Sequence, residues 1–235
     1  MSNQVTIKAL LSIILVAGAL VSQPTAFSAV IVTTSTTAPS ENLLFQSQNV
    51  GGTGGLAWQW TTSDPNNKRD LLQQFHYTSD FVIERISLFA TGAYAIPVGE
   101  TVDFSLTINT YSSATSSSPT STIASYDGTL TRLGSGSRWW TFDIPDTQLS
   151  ADTLYGFVLS FSENLSGSSI TWQTFSGNTS FPDAGLAQID YATGSPVATF
   201  LSSDLNFIVQ GTAVPEPATV SLLIGCVALA MWRRG

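Results

Sequence analysis

The feature that most constrains this chain is a strict alternation of apolar and polar residues over positions 102–109. Successive side chains of a strand point to opposite faces, whereas a helix repeats every 3.6 residues, so this pattern predicts a half-buried antiparallel strand. The apolar members of the pattern are Val102, Phe104, Leu106 and Ile108.

Similar short apolar stretches recur along the chain, and turn residues separate them. Counting them predicts about ten strands, with turn signals every eight to twelve residues and no amphipathic helix between them. Asp127-Gly128 is a turn signal, and Pro145 is expected to end a strand. The fold class predicted is all-β, a single antiparallel β-sandwich that is jelly-roll-like, with a helical segment added at each terminus.

Residues 1–29 have the pattern of a secretory signal read by signal peptidase. Lys8 precedes an apolar run over 9–21, and Gln23-Pro24 breaks that run. The run has the length of a signal rather than of a stable membrane span. Cleavage after Ser28 or after Ala29 fits equally, and an uncleaved N-terminal anchor is the alternative.

The C-terminal residues 214–235 combine a proline-rich start, an apolar run and a basic end. Pro215 and Pro217 disfavour helix before the run, because proline lacks an N–H and biases its predecessor to extended geometry. The run over 220–232 would span about 20 Å as a helix, against a hydrocarbon core of about 30 Å. It therefore predicts a short transmembrane helix, with arginines on the cytoplasmic side. The alternative, a buried helix of the domain, would need a polar face that the run lacks.

This C-terminal segment resembles the PEP-CTERM sorting signal of Gram-negative bacteria. The resemblance implies recognition by an exosortase-like transpeptidase, cleavage near residues 214–218, and transfer from the inner membrane to the cell envelope or extracellular matrix. The residues that carry the signal are Val214, Pro215, Glu216, Pro217, Arg233 and Arg234.

The body between the terminal segments resembles the choice-anchor domains, which are secreted β-domains found before interchangeable anchoring signals. The stretches that carry this second resemblance are 77–88, 151–160 and 205–211. Such families have no established reaction, so no functional residues are implied. The resulting organisation is a signal peptide over 1–29, a lead-in linker over 30–42, a β-sandwich domain over 43–213 and the sorting segment over 214–235.

The charge balance argues against nucleic acid as a partner, because the formal net charge is −8. No cofactor motif is present, and the single cysteine lies in the apolar tail, so no disulfide is expected. Catalysis is not expected either. His76, the only histidine, lies between Phe75 and Tyr77 in strand-like sequence, which favours a structural role over a place in a triad, and a zinc site would have to use carboxylates almost alone. A glycoside hydrolase working through paired carboxylates is the third hypothesis for function.

Five tryptophans of the body are candidates for stacking on sugar rings, with core filling as the default alternative for each taken singly, and exopolysaccharide binding is the second hypothesis for function. These residues are Trp58, Trp60, Trp139, Trp140 and Trp172. Trp139 and Trp140 are adjacent and must point to opposite faces. A weak calcium candidate is the loop that contains Asp64, Asn66 and Asp70, for which plain turn chemistry is the alternative. The first hypothesis for function is a structural or adhesive protein of the envelope or matrix.

Overall fold

The computed structural model describes residues 29–47, 54–60, 68–161, 168–176, 184–191, 197–201 and 203–215. In these ranges the chain is all-β, and every ladder between strands is antiparallel. The first seven strands are β1 (Ile31–Ser35), β2 (Leu43–Ser47), β3 (Gly54–Trp60), β4 (Lys68–Phe75), β5 (Phe81–Tyr94), β6 (Thr101–Thr110) and β7 (Ser121–Thr131). The remaining strands are β8 (Arg138–Leu149), β9 (Tyr155–Phe161), β10 (Ser168–Ser176), β11 (Leu186–Asp190), β12 (Val197–Leu201), β13 (Ser203–Leu205) and β14 (Phe207–Ala213).

The strands form two antiparallel layers, as expected for a sandwich. In the first layer β5 is central, with β8 and then β1 on one side and with β14 and β10 along the other. β2 continues this layer beyond β14, and β3 continues it beyond β10. The second layer runs β12-β11-β4-β9-β6-β7. A short β3–β4 ladder joins the layers at one edge, and an isolated bridge between Val30 and Gly128 joins them at the other.

The space between the layers is filled largely by aromatic side chains. Phe104 of β6 packs against Phe142 of β8 with ring centroids 5.3 Å apart, and Phe157 of β9 packs against Phe207 of β14 at 5.7 Å. Aromatic pairs at such separations add to the stability gained from burying their area. The four apolar residues of the alternating stretch in β6 are all buried, which confirms the prediction of one core-facing side.

A bulge in β5 changes which of its residues face the core. Glu84 is an extra residue relative to β14, whose Gln210 and Gly211 pair with Arg85 and Ile83. A bulge adds one residue to one strand and so reverses the alternation beyond it. The core-facing residues of β5 are Phe81 and Ile83 before the bulge and Ile86, Leu88 and Ala90 after it.

Two predictions about strand ends were wrong. Pro145 lies within β8, opposite the irregularity at Glu84, where a residue without an N–H has no regular ladder bond to lose. The turn expected at Asp127-Gly128 is instead a continuous part of β7. Gly128 lets the Phe104 ring lie against the strand, because a Cβ there would come within 2.7 Å of that ring.

The predicted lead-in linker was also partly wrong. Its residues 31–35 form β1, which pairs with β8 along its whole length. The backbone N–H of Val30 donates to the carbonyl of Asp127 at 3.1 Å, so residues before 43 also take part in the sandwich. Only residues 36–42, here called the crossover segment, connect β1 to β2 without strand structure.

Candidate functional site

Two of the predicted platform tryptophans lie in the core. Trp140 and Trp172 are 1% and 0% exposed, and their rings meet edge to face with centroids 6.5 Å apart. Both face the interior of the sandwich, so the prediction that they offer an exposed surface to sugars is wrong. The physical reason is that the wide space between two layers is filled by the largest side chains available.

Trp139 points away from this core, as its adjacency to Trp140 requires. It is nevertheless only 5% exposed, and its ring packs against Phe89 at 5.2 Å on the outer face of the first layer. It is therefore covered and offers no platform either. The backbone of Trp58 and Trp60 lies in β3, while their side chains lie outside what the structure describes, so their role stays a prediction.

Of the three residues predicted as a calcium site, the structure describes only Asp70. Asp64 and Asn66 lie outside the described residues, whereas Asp70 belongs to β4 and not to a loop. Asp70 is buried, its Oδ2 lies 3.3 Å from Lys68 Nζ, and it accepts a hydrogen bond from the Tyr191 hydroxyl at 2.9 Å. Among the described residues no group of three or more acidic, histidine or cysteine side chains is placed to hold a metal ion.

The Lys68–Asp70 pair belongs to a cluster that the sequence did not indicate. Lys68 Nζ also donates to the hydroxyl of Ser160 and lies 5.1 Å from the centre of the Tyr191 ring. A serine is activated for nucleophilic attack when a neighbouring base accepts its proton. Here Ser160 contacts both Lys68 and the Asp70 carboxylate, so the four side chains form one hydrogen-bonded polar cluster on β4, β9 and the residue after β11.

We expect Asp70 to make stability depend on pH. Burial, the largest cause, raises the pKa of Asp70, while Lys68 and the Tyr191 hydroxyl act in the opposite direction. A carboxyl group whose pKa is higher in the folded protein than in the unfolded chain stabilises the folded state. This stabilisation is complete at pH values below the unfolded-state pKa and is lost as the pH rises through the folded-state pKa. Thermal unfolding measured from about pH 3 to pH 7 should therefore show the wild type losing stability relative to Asp70→Asn as pH rises.

The control for this prediction is Asp146→Asn, which removes an exposed carboxylate from the same sandwich. Its free energy of unfolding should stay within about 0.5 kcal/mol of that of the wild type, as for other exposed substitutions. A constant or opposite trend for Asp70→Asn would contradict the pKa direction.

A concave site lies between the crossover segment and the outer face of the first layer. Three strands place polar residues in one row there, because Asp143 of β8 pairs with Arg85 of β5 and Arg85 pairs with Gln210 of β14. Residues directly opposite one another in a sheet share a face. Arg85 Nε lies 3.5 Å from Asp143 Oδ2, and both side chains are partly exposed.

A second row, of hydroxyl groups, runs beside the first. Thr33 of β1 pairs with Thr141 of β8, and the Thr141 hydroxyl lies 2.8 Å from that of Ser87 on β5. Together the rows and the crossover segment enclose an open cleft of about 390 Å³. The residues lining this crossover cleft are Thr33, Ser35, Thr37, Ala38, Pro39, Ser40, Glu41, Arg85, Thr141, Asp143 and Gln210.

Gln210 connects the crossover segment to the sheet. It is 3% exposed, and its Nε2 donates to the backbone carbonyl of Glu41 at 2.7 Å. The Gln210 Oε1 is buried and has no hydrogen-bond partner among the described atoms. Asn42 ends the segment at a φ of 50°, a left-handed conformation that asparagine tolerates better than most residues, and its carbonyl accepts from Gly211 N–H at 2.8 Å.

Of the predicted sorting residues, Val214 and Pro215 are described, and they follow β14 directly. Glu216, Pro217, Arg233, Arg234 and residues 1–28 of the predicted N-terminal signal lie outside the described residues. The part of the chain that the structure describes contains no helix with the length and hydrophobicity of a membrane span. A comparison with protein-family models matches none of them, and a search of curated proteins finds no match.

Proposed function

We propose that this chain is an exported structural or adhesive protein of a Gram-negative cell envelope or extracellular matrix. It would be cleaved by signal peptidase, held transiently in the inner membrane by its C-terminal segment, and processed there by an exosortase-like transpeptidase. The folded body would be a jelly-roll-like, choice-anchor-like domain, and no nucleic acid or cofactor would be involved.

The observation that carries this proposal is where the ladder of the last strand ends. β14 pairs with β5 as far as Ala213, and the segment that resembles the sorting signal starts at the next residue. A removable tail must leave the folded body without taking part in its core, and Pro215 is exposed. The coincidence of the two boundaries supports a tail that could be removed without disturbing the domain.

The first residue of the tail, Val214, is hydrogen-bonded to one end of the sandwich. Val214 N–H donates to the Asp80 carbonyl at 2.7 Å, and the Asp80 carboxylate accepts from Ala151 N–H at 2.7 Å. These bonds tie the last described residues to the turn before β5 and the turn before β9. These hydrogen bonds would hold the domain in a defined position relative to the tail while the tail is in the membrane.

The test is mass spectrometry of the exported protein's C-terminus in a host that contains an exosortase. We expect the chain to end between residues 214 and 218. Replacing Pro215 and Pro217 together with alanine should leave the tail intact, while the control Pro97→Ala, which changes an exposed proline of a turn, should be processed normally. An intact Arg233-Arg234-Gly235 end on most exported wild-type protein would refute the proposed sorting.

Carbohydrate binding remains the second proposal, and the crossover cleft now supports it instead of the buried tryptophans. Two carboxylates, Glu41 and Asp143, line the same cleft. Glycoside hydrolysis, the third hypothesis, needs a pair of carboxylates, and Glu41 and Asp143 are the only two among the described residues that line this cleft. Polar lining with an unused buried acceptor favours binding over a purely structural surface at this place.

A further inference from the structure

We propose that the crossover cleft is a binding site for a neutral saccharide of one or two sugar units. The proposal rests on the proposed export, because extracellular polysaccharide would be met only outside the cytoplasm. It differs from the sequence-based prediction in location and in chemistry, since it uses polar groups of β1, β5, β8 and β14 and no tryptophan.

The first argument is the unused acceptor. Buried polar atoms in folded proteins are nearly always hydrogen-bonded, so an exception calls for an explanation such as an ordered water, an ion or a ligand group. Gln210 is held in place by its bond to the Glu41 carbonyl, and its Oε1 is left without a donor among the described residues. Because Gln210 Oε1 has almost no exposed surface, a donor would reach it only after the atoms that cover it move, and a hydroxyl group is small enough to do so.

The second argument is the alternation of donors and acceptors on the floor. Arg85 offers N–H donors, Asp143 offers acceptor oxygens, and the Thr33 and Thr141 hydroxyls can act in either role. Neighbouring hydroxyls of a sugar ring both donate and accept, so they can bond to such a set without leaving a partner unsatisfied. Bonds to the charged groups would be the stronger ones.

The third argument concerns charge and size. The carboxylates of Glu41 and Asp143 outnumber Arg85 among the lining side chains, which disfavours an anionic sugar. The volume of about 390 Å³ is near the lower end of small-molecule sites, which span about 300–1,000 Å³. A short neutral unit therefore fits better than a long or acidic one.

The test is saturation-transfer NMR and calorimetry with the full-length chain in a zwitterionic detergent that has no sugar headgroup. The probes are cellobiose, mannobiose, galactobiose and chitobiose, with digalacturonate as the anionic comparison. We expect saturable binding of at least one neutral probe and weaker or no binding of digalacturonate. Asp143→Asn and Gln210→Met should each weaken that binding by about tenfold or more.

The matched control is Asp190→Asn, which makes the same change in a carboxylate paired with an arginine, Arg69, at 2.9 Å on the second layer. It should bind the probe as the wild type does. Thermal unfolding of each variant separates lost binding from lost folding, and Asp143 is exposed enough to be replaced without disturbing the core.

Absence of saturable binding by every neutral probe would overturn the proposal. Equal affinity of the wild type and Asp143→Asn would overturn it as well. If Trp58→Ala or Trp60→Ala abolished binding while the cleft variants kept it, the saccharide site would lie at β3 instead. None of these results bears on C-terminal processing, which mass spectrometry tests independently.

Discussion

Replacing Trp172 with alanine is expected to lower the free energy of unfolding by about 3–5 kcal/mol. Trp172 is completely buried between the layers and lies in ring contact with both Trp140 and Phe142. Removing its indole leaves a cavity that two paired sheets cannot close without breaking their ladders. Thermal unfolding followed by near-ultraviolet circular dichroism measures the loss directly.

The comparison variant is Leu133→Ala, which removes an apolar side chain that is 66% exposed. Its effect should stay within about 0.5 kcal/mol. A Trp172→Ala protein as stable as Leu133→Ala would mean that Trp172 does not fill the core. Trp172→Ala also tests the prediction that Trp172 is a platform for sugars. Because Trp172 is buried, its replacement should affect the stability of the protein more than its binding of sugars.

Replacing Gly211 with alanine is expected to cost about 3 kcal/mol, the upper part of the range for overpacked sites. A Cβ at this position would lie 1.9 Å from the carbonyl oxygen of Val82 and 3.0 Å from Leu44 Cδ1. The first of these atoms belongs to the backbone of β5, so relief requires a shift of the strand itself. Because β14 lies between β5 and β2, both of its ladders should weaken.

The control is Gly134→Ala, whose Cβ would meet only the far end of the Arg138 side chain at 3.2 Å. That side chain can move, so the expected change is within about 0.5 kcal/mol. Hydrogen exchange should show faster exchange in β14 and β2 of the Gly211→Ala protein and no change in the Gly134→Ala protein. Unchanged exchange in β14 would contradict the proposed collision.

The local pattern predicted strands well where one face meets the core and the other meets solvent. In β9, Tyr155, Phe157 and Leu159 share the buried face, as their spacing indicated. The same reasoning failed at Pro145 and Gly128, whose usual roles are to end strands or to make turns. Their positions opposite a bulge and against the Phe104 ring depend on a neighbouring strand, which a single stretch of sequence does not specify.

The sequence by itself determined the all-β class, the strand alternation and the opposite orientation of Trp139 and Trp140, because these follow from the geometry of one chain segment. Only the tertiary structure decided that both indoles are covered and that Thr33, Arg85, Asp143 and Gln210 share one cleft. Those four residues lie on four strands that are distant in the chain, and antiparallel register alone brings them together. Burial and clefts depend on how all the strands pack together, so the periodicity of a single segment does not determine them.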